Sequence, residues 1–107
     1  MTTLSSTAEE MEEASVLMTH AVGLHARPSV KLTKLAKTFT AHIELAVSED
    51  GPWIDAKSIV RVMAAKAPKD TVLFFRAEGD DAGDAVSALT ALVERDFDEG
   101  QADAANA

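Results

Sequence analysis

The sequence predicts an α+β open-faced sandwich: a four-stranded antiparallel sheet covered on one face by three helices. Three observations predict it. Two-residue alternation over 14–20 and 41–47 marks strands with one apolar face, which need a covering layer on one side only. Helical stripes over 26–38 and 82–93 supply that layer. The segment order β-α-β-β-α-β-α leaves each strand free to pair antiparallel with another. At 107 residues the chain is one domain with room for a modest core.

Residues 1–13 are small and polar, then acidic, without periodicity, and read as a disordered lead-in. Ala14–His20 has the alternation and β-branched content of a first strand. The first helix is expected over 26–38. Pro28, Leu32, Leu35, Ala36 and Phe39 share its core stripe, while Arg27, Val30, Lys31 and Lys34 lie opposite. Ala41, Ile43, Leu45 and Val47 alternate with polar or small residues in a second strand. Ser48-Glu49-Asp50-Gly51-Pro52 is turn chemistry, so Trp53–Ala56 is a short third strand, with Trp53 covering an edge of the core.

Ser58 is the expected N-cap of a short second helix, closed by Pro68; position 61 is Arg, so the reciprocal Glu of a capping box is missing. Thr71–Ala77 is the most strand-like run and fits the centre of the sheet. After Gly79-Asp80 comes the last helix, with Ala82, Ala85, Val86, Leu89, Leu92 and Val93 as its apolar stripe, ending near Phe97. The domain is thus 14–97, and 98–107 is a polar tail expected to be mobile.

Composition excludes several classes of function. There is no cysteine, hence no disulfide, thiolate metal site or thiol chemistry. His20, His25 and His42 form no ligand pair on one helix, so no metal is expected. A net charge of −8 and few aromatics disfavour nucleic acid. No apolar run has the length of a membrane span, and the first ten residues lack the basic and apolar blocks of a signal peptide; the cytoplasm is the expected location. Between Arg27 and Lys69, eight basic residues face four acids, while the rest of the chain holds two basic residues and fourteen acids. A basic middle on an acidic chain suits an acidic or phosphorylated protein partner.

The chemistry concentrates in Gly23-Leu24-His25-Ala26-Arg27-Pro28. Pro28 in a first helical turn loses no ladder hydrogen bond, which places His25 at or next to the N-cap. There it meets the positive end of the helix dipole, a natural anion site. That field favours the neutral imidazole, whose ring lone pair is then a nucleophile. Arg27 adds a guanidinium fork suited to phosphate oxygens. Taken singly, each residue fits a plain cap or a solvated charge. Together, they point to a histidine that accepts a phosphoryl group.

The hexapeptide, the serine opening a short apolar helix about thirty residues later (Lys57-Ser58-Ile59-Val60) and the element order together resemble the HPr family. These are the histidine-containing phosphocarriers of the phosphoenolpyruvate:sugar phosphotransferase system. The resemblance covers Ala14 to Phe97. It implies sheet order 1-4-2-3, phosphorylation of His25 on Nδ1 with help from Arg27, and a regulatory role for Ser58. It further implies a docking surface of Ile59, Val60 and Met63 beside Lys34, Lys37 and Arg61. Implied partners are enzyme I as phosphoryl donor, an EIIA-type domain as acceptor and an HPr kinase/phosphorylase acting on Ser58.

No cofactor is expected; a monomer is expected, and its complexes should be transient, because a relay needs fast release. The resemblance implies a carrier with a phosphohistidine intermediate rather than a stand-alone enzyme. Asp96-Phe97-Asp98-Glu99 is similar to the ending of the nitrogen-related carriers. Where many members have Asn five residues before the active histidine, this chain has His20. The rival reading is an HPr-like interaction module that binds a regulator without relaying phosphate.

Overall fold

The computed structural model describes residues 11–20 and 23–98, and its layout follows from one long strand. Thr71–Glu78 (β4) pairs antiparallel on one side with Met11–Met18 (β1) and on the other with His42–Ala46 (β2). Ile54–Asp55 (β3) adds to the far edge of β2, giving the antiparallel order β1-β4-β2-β3. Ala26–Ala36 (α1), Ile59–Ala64 (α2), Ala82–Glu94 (α3) and a 3-10 turn, Asp96–Asp98, are the remaining elements among the described residues. This is the expected open-faced sandwich, with the expected strand order.

Alternation puts Leu73, Phe75 and Ala77 of β4 on the helix side, all buried. Phe75 lies opposite Ala14 on one flank and Leu45 on the other, so a row of apolar side chains crosses three strands. The α3 stripe closes over it, with Ala82, Ala85, Val86, Leu89, Leu92 and Val93 all buried. On α1 the buried face is wider than its apolar stripe, because Ser29 and Thr33 are buried as well. Thr33 tolerates this by turning its hydroxyl onto the Ser29 carbonyl at 3.0 Å.

Several boundaries differ from expectation. β1 begins at Met11, inside the stretch expected to be a disordered lead-in, because Glu12 and Glu13 continue the ladder opposite Ala77 and Arg76. It ends at Met18, two residues before His20. α1 stops at Ala36 rather than near Thr38, whereas α2 spans Ile59–Ala64 between its caps Ser58 and Ala65, as expected. β3 is only two residues long. Ile54 packs against the core, so Trp53 falls on the opposite face of the sheet instead of covering a core edge; the Arg76 guanidinium lies 4.1 Å from its ring centre. The expected lead-in 1–10 and tail 99–107 lie outside the described residues.

Asp81 ties the start of α3 to the entry of β2. Its carboxylate accepts the Thr40 N–H at 2.9 Å and the Ala41 N–H at 2.8 Å. Those bonds, the Thr40 one foremost, hold its carboxyl below the usual range. A depressed folded-state value gives stability above the ordinary carboxylate range that is lost as pH falls through the folded value. In thermal melts, the stability gap between the wild type and Asp81→Ala should therefore narrow from neutral pH to below about pH 3. A gap of constant size across that range would show that the carboxylate charge is irrelevant.

Candidate functional site

The site is built by the short connection between β1 and α1. The Gly23 N–H donates to the His20 carbonyl at 3.1 Å, the Leu24 N–H to the Ala67 carbonyl at 2.8 Å and the His25 N–H to the Gly23 carbonyl at 3.1 Å. Gly23 adopts φ +76°, and a Cβ there would collide with the Ala67 carbonyl oxygen and the Pro68 backbone. Only glycine fits both demands. The connection is therefore pressed against the α2–β4 loop, with Leu24 buried beneath it.

His25 follows as the N-cap of α1, in extended backbone (φ −118°, ψ −153°) and exposed. Its carbonyl accepts the Ser29 N–H at 2.9 Å, the first rung of the helix. Its side chain makes no capping hydrogen bond. The imidazole thus stands at the electropositive helix end without being spent on closing it. No acidic residue lies in the first turn to cancel that field. Arg27 is exposed in the same turn and borders a shallow groove of about 340 Å³ shared with Ala26, Val30, Lys31 and Lys34.

Two further residues enter the site: His20, which the sequence already marks as standing where many members have Asn, and Phe97. His20 is 8 % exposed, with its ring centroid 6.2 Å from that of His25. It rests edge-on against Phe97, at 5.7 Å and 76°. Phe97 is fully buried, although Asp96, Phe97 and Asp98 all have positive φ (59°, 56° and 63°). That strained turn is clamped by Lys31, whose ammonium donates to the Phe97 carbonyl at 2.9 Å. A contact across 66 positions has no local signature; the only hint was Phe97 as the apolar end of the α3 stripe.

Ser58 caps α2, its Oγ accepting the Arg61 N–H at 3.3 Å. α1 and α2 pack together. Of the residues expected on the docking face, Val60, Met63, Arg61, Lys34 and Lys37 are exposed, whereas Ile59 is half-buried. Val30 of α1 adds a further exposed apolar side chain. Among the described residues, no group of three or more His, Cys, Asp or Glu is placed to hold a metal ion. No helix among them is long and apolar enough to cross a membrane.

Fold and site together define a small α+β domain that presents one exposed histidine at a helix N-terminus. The family model described as "PTS HPr component phosphorylation site" matches residues 12–95. The phosphocarrier protein HPr of Cupriavidus necator is 40 % identical over 80 residues, covering 75 % of this chain and 88 % of that protein. That of Xylella fastidiosa (strain 9a5c) is 37 % identical over 89 residues, covering 83 % and 98 %. Among solved structures, HPr-C-His from Thermoanaerobacter tengcongensis superposes with a TM-score of 0.76 at 33 % identity, covering 82 % of this chain and 97 % of that one. HPr from Bacillus anthracis gives 0.69 at 32 % identity, covering 76 % and 94 %. The chain belongs to the HPr family of phosphocarriers of the phosphotransferase system.

Replacing Ser58 by Ala removes one side-chain acceptor at the head of a six-residue helix. Urea denaturation should show a loss of about 1 kcal/mol. An unchanged midpoint would mean that the 3.3 Å contact contributes nothing to the fold.

Proposed function

We propose that this protein takes a phosphoryl group onto His25 from the phosphohistidine of enzyme I and passes it to a histidine of an EIIA-type domain. The observation that carries this reading is the exposed His25 ring, standing at the N-terminus of α1 with no capping role of its own. In the first transfer, a lone pair of His25, on Nδ1 by the family pattern, forms the new P–N bond. The donor's P–N bond breaks in line, and its electron pair returns to the donor ring. The second transfer repeats the exchange with His25 as leaving group. Positioning and charge stabilisation are what such a step needs. The helix end and the Arg27 guanidinium serve that need, and no cofactor takes part. The relay operates in the cytoplasm, with the chain a monomer that forms brief complexes.

The basic residues Lys34, Lys37 and Arg61 with Ile59, Val60 and Met63 form the partner face in this reading. Apolar side chains give affinity, and the charges speed encounter with acidic partners. Incubation with labelled phosphoenolpyruvate and purified enzyme I of the sugar and nitrogen branches should label the wild type with one of them and leave His25→Ala unlabelled. Arg27→Ala should slow labelling by about 10²-fold. If neither enzyme I labels the protein, or His25→Ala is labelled as fast as wild type, the relay is wrong. A binding module without transfer then remains.

Ser58 is the proposed regulatory position, modified by an HPr kinase/phosphorylase. A phosphate there adds about −1.5 to −2 charges beside Ile59, Val60 and Arg61, on the face that meets the donor. The helix start tolerates the charge, so transfer suffers rather than stability. Kinase and ATP should modify the wild type but not Ser58→Ala, and the modified protein should accept phosphate from enzyme I about tenfold more slowly or worse. Equal transfer rates for both forms would remove Ser58 from regulation.

A further inference from the structure

The face of the sheet turned away from the helices carries a second surface. Alternation places Glu13, Ser15 and Leu17 of β1 there, with Val72, Phe74 and Arg76 of β4. Leu17 and Val72 face each other across the ladder and are 50 % and 39 % exposed. Next to them lies a cavity of about 420 Å³ whose walls include Glu13, Ser15, Glu49, Trp53 and Phe74.

The charges on this face are unequal. Arg76 covers the Trp53 ring at 4.1 Å, and its Nε bonds Glu44 at 2.7 Å. That bond pulls the Glu44 carboxyl below its usual range, so this pair is neutralised internally. The carboxylates of Glu13 and Glu49 make no hydrogen bond or ion pair among the described residues. Two uncompensated carboxylates thus flank a cavity walled by an indole and a phenyl ring, a combination that suits a cation with an apolar stem. A second copy is a poor occupant, since it would set the same carboxylates against each other.

We propose that this face docks an extended segment of a partner protein carrying an Arg or Lys and, four residues on, an aliphatic side chain. The cation sits between Glu13 and Glu49 against the aromatic walls, and the aliphatic residue covers Leu17 and Val72. Glu13 and Leu17 are four residues apart on one strand, about 13 Å at 3.3 Å per residue, which an extended peptide matches with its own residues i and i+4. The inference does not require His25 to carry phosphate. Because the helix face is basic and this face acidic, the two select partners of opposite charge.

Trp53 is the only tryptophan, so its fluorescence reports on the cavity without a label. The probe is a pentapeptide amide with arginine first, leucine last and Thr-Ser-Thr between them. It should change Trp53 emission saturably at roughly millimolar concentration or below. Binding should weaken about tenfold in the E13Q/E49Q double variant, whose exposed substitutions leave the core untouched, and weaken again when salt rises about tenfold. Amide shifts should cluster at 13–17, 53 and 72–76. The proposal is overturned if a peptide with glutamate for arginine binds equally well or the double variant binds as wild type. No response at about 10 mM peptide, or shifts centred on α1 and α2, would overturn it equally.

Discussion

The constraint on which the site depends is the hydrogen bond from the Leu24 N–H to the Ala67 carbonyl. It draws the β1–α1 connection onto the α2–β4 loop, closely enough that Gly23 has no space for a Cβ. With that contact fixed, Leu24 is buried and His25 comes to the surface as the residue that caps α1. Extended backbone at the cap then directs the imidazole outward while its carbonyl starts the helix. Histidine orientation is thus set by main-chain packing rather than by any bond to the ring, which leaves the ring available for chemistry.

Beneath the histidine lies a stack of quite different character. His20 separates His25 from Phe97, and Phe97 is held in a left-handed turn by the ammonium of Lys31. The strain of three successive positive φ values is offset by complete burial of the phenyl ring and by the charge-assisted bond to its carbonyl. The last turn of the domain therefore serves as a floor for the first helix. The opposite side of the sheet, which bears no helix among the described residues, is organised around the Trp53–Arg76–Glu44 cluster, so the molecule has two chemically distinct faces.

Much of this was legible in the sequence where a signal is local and periodic. The α3 stripe is buried at all six positions named, and the place of His25 at the cap followed from Pro28 and Gly23 alone. What escaped depends on pairing between distant segments. Glu12 and Glu13 look like solvent-exposed acids, and only the facing residues of β4 make them strand. The face occupied by Trp53 is set by the phase of a two-residue strand, which composition does not encode. Ser29 and Thr33 read as polar, yet the helix buries them, Thr33 by satisfying its hydroxyl internally. The Lys31–Phe97 tie joins residues that nothing in the chain order associates.

The clamp on Phe97 also decides how this domain can be joined to others. β1 enters the sheet at Met11, opposite Glu78, and travels about 23 Å before reaching the loop that holds the histidines. Asp98, the last described residue, directly follows the ring that supports His20. A module or tag fused directly at Asp98 would sit at the rim of the reactive centre and obstruct whatever approaches it, whereas one fused directly at Met11 would sit at the remote end of the sheet.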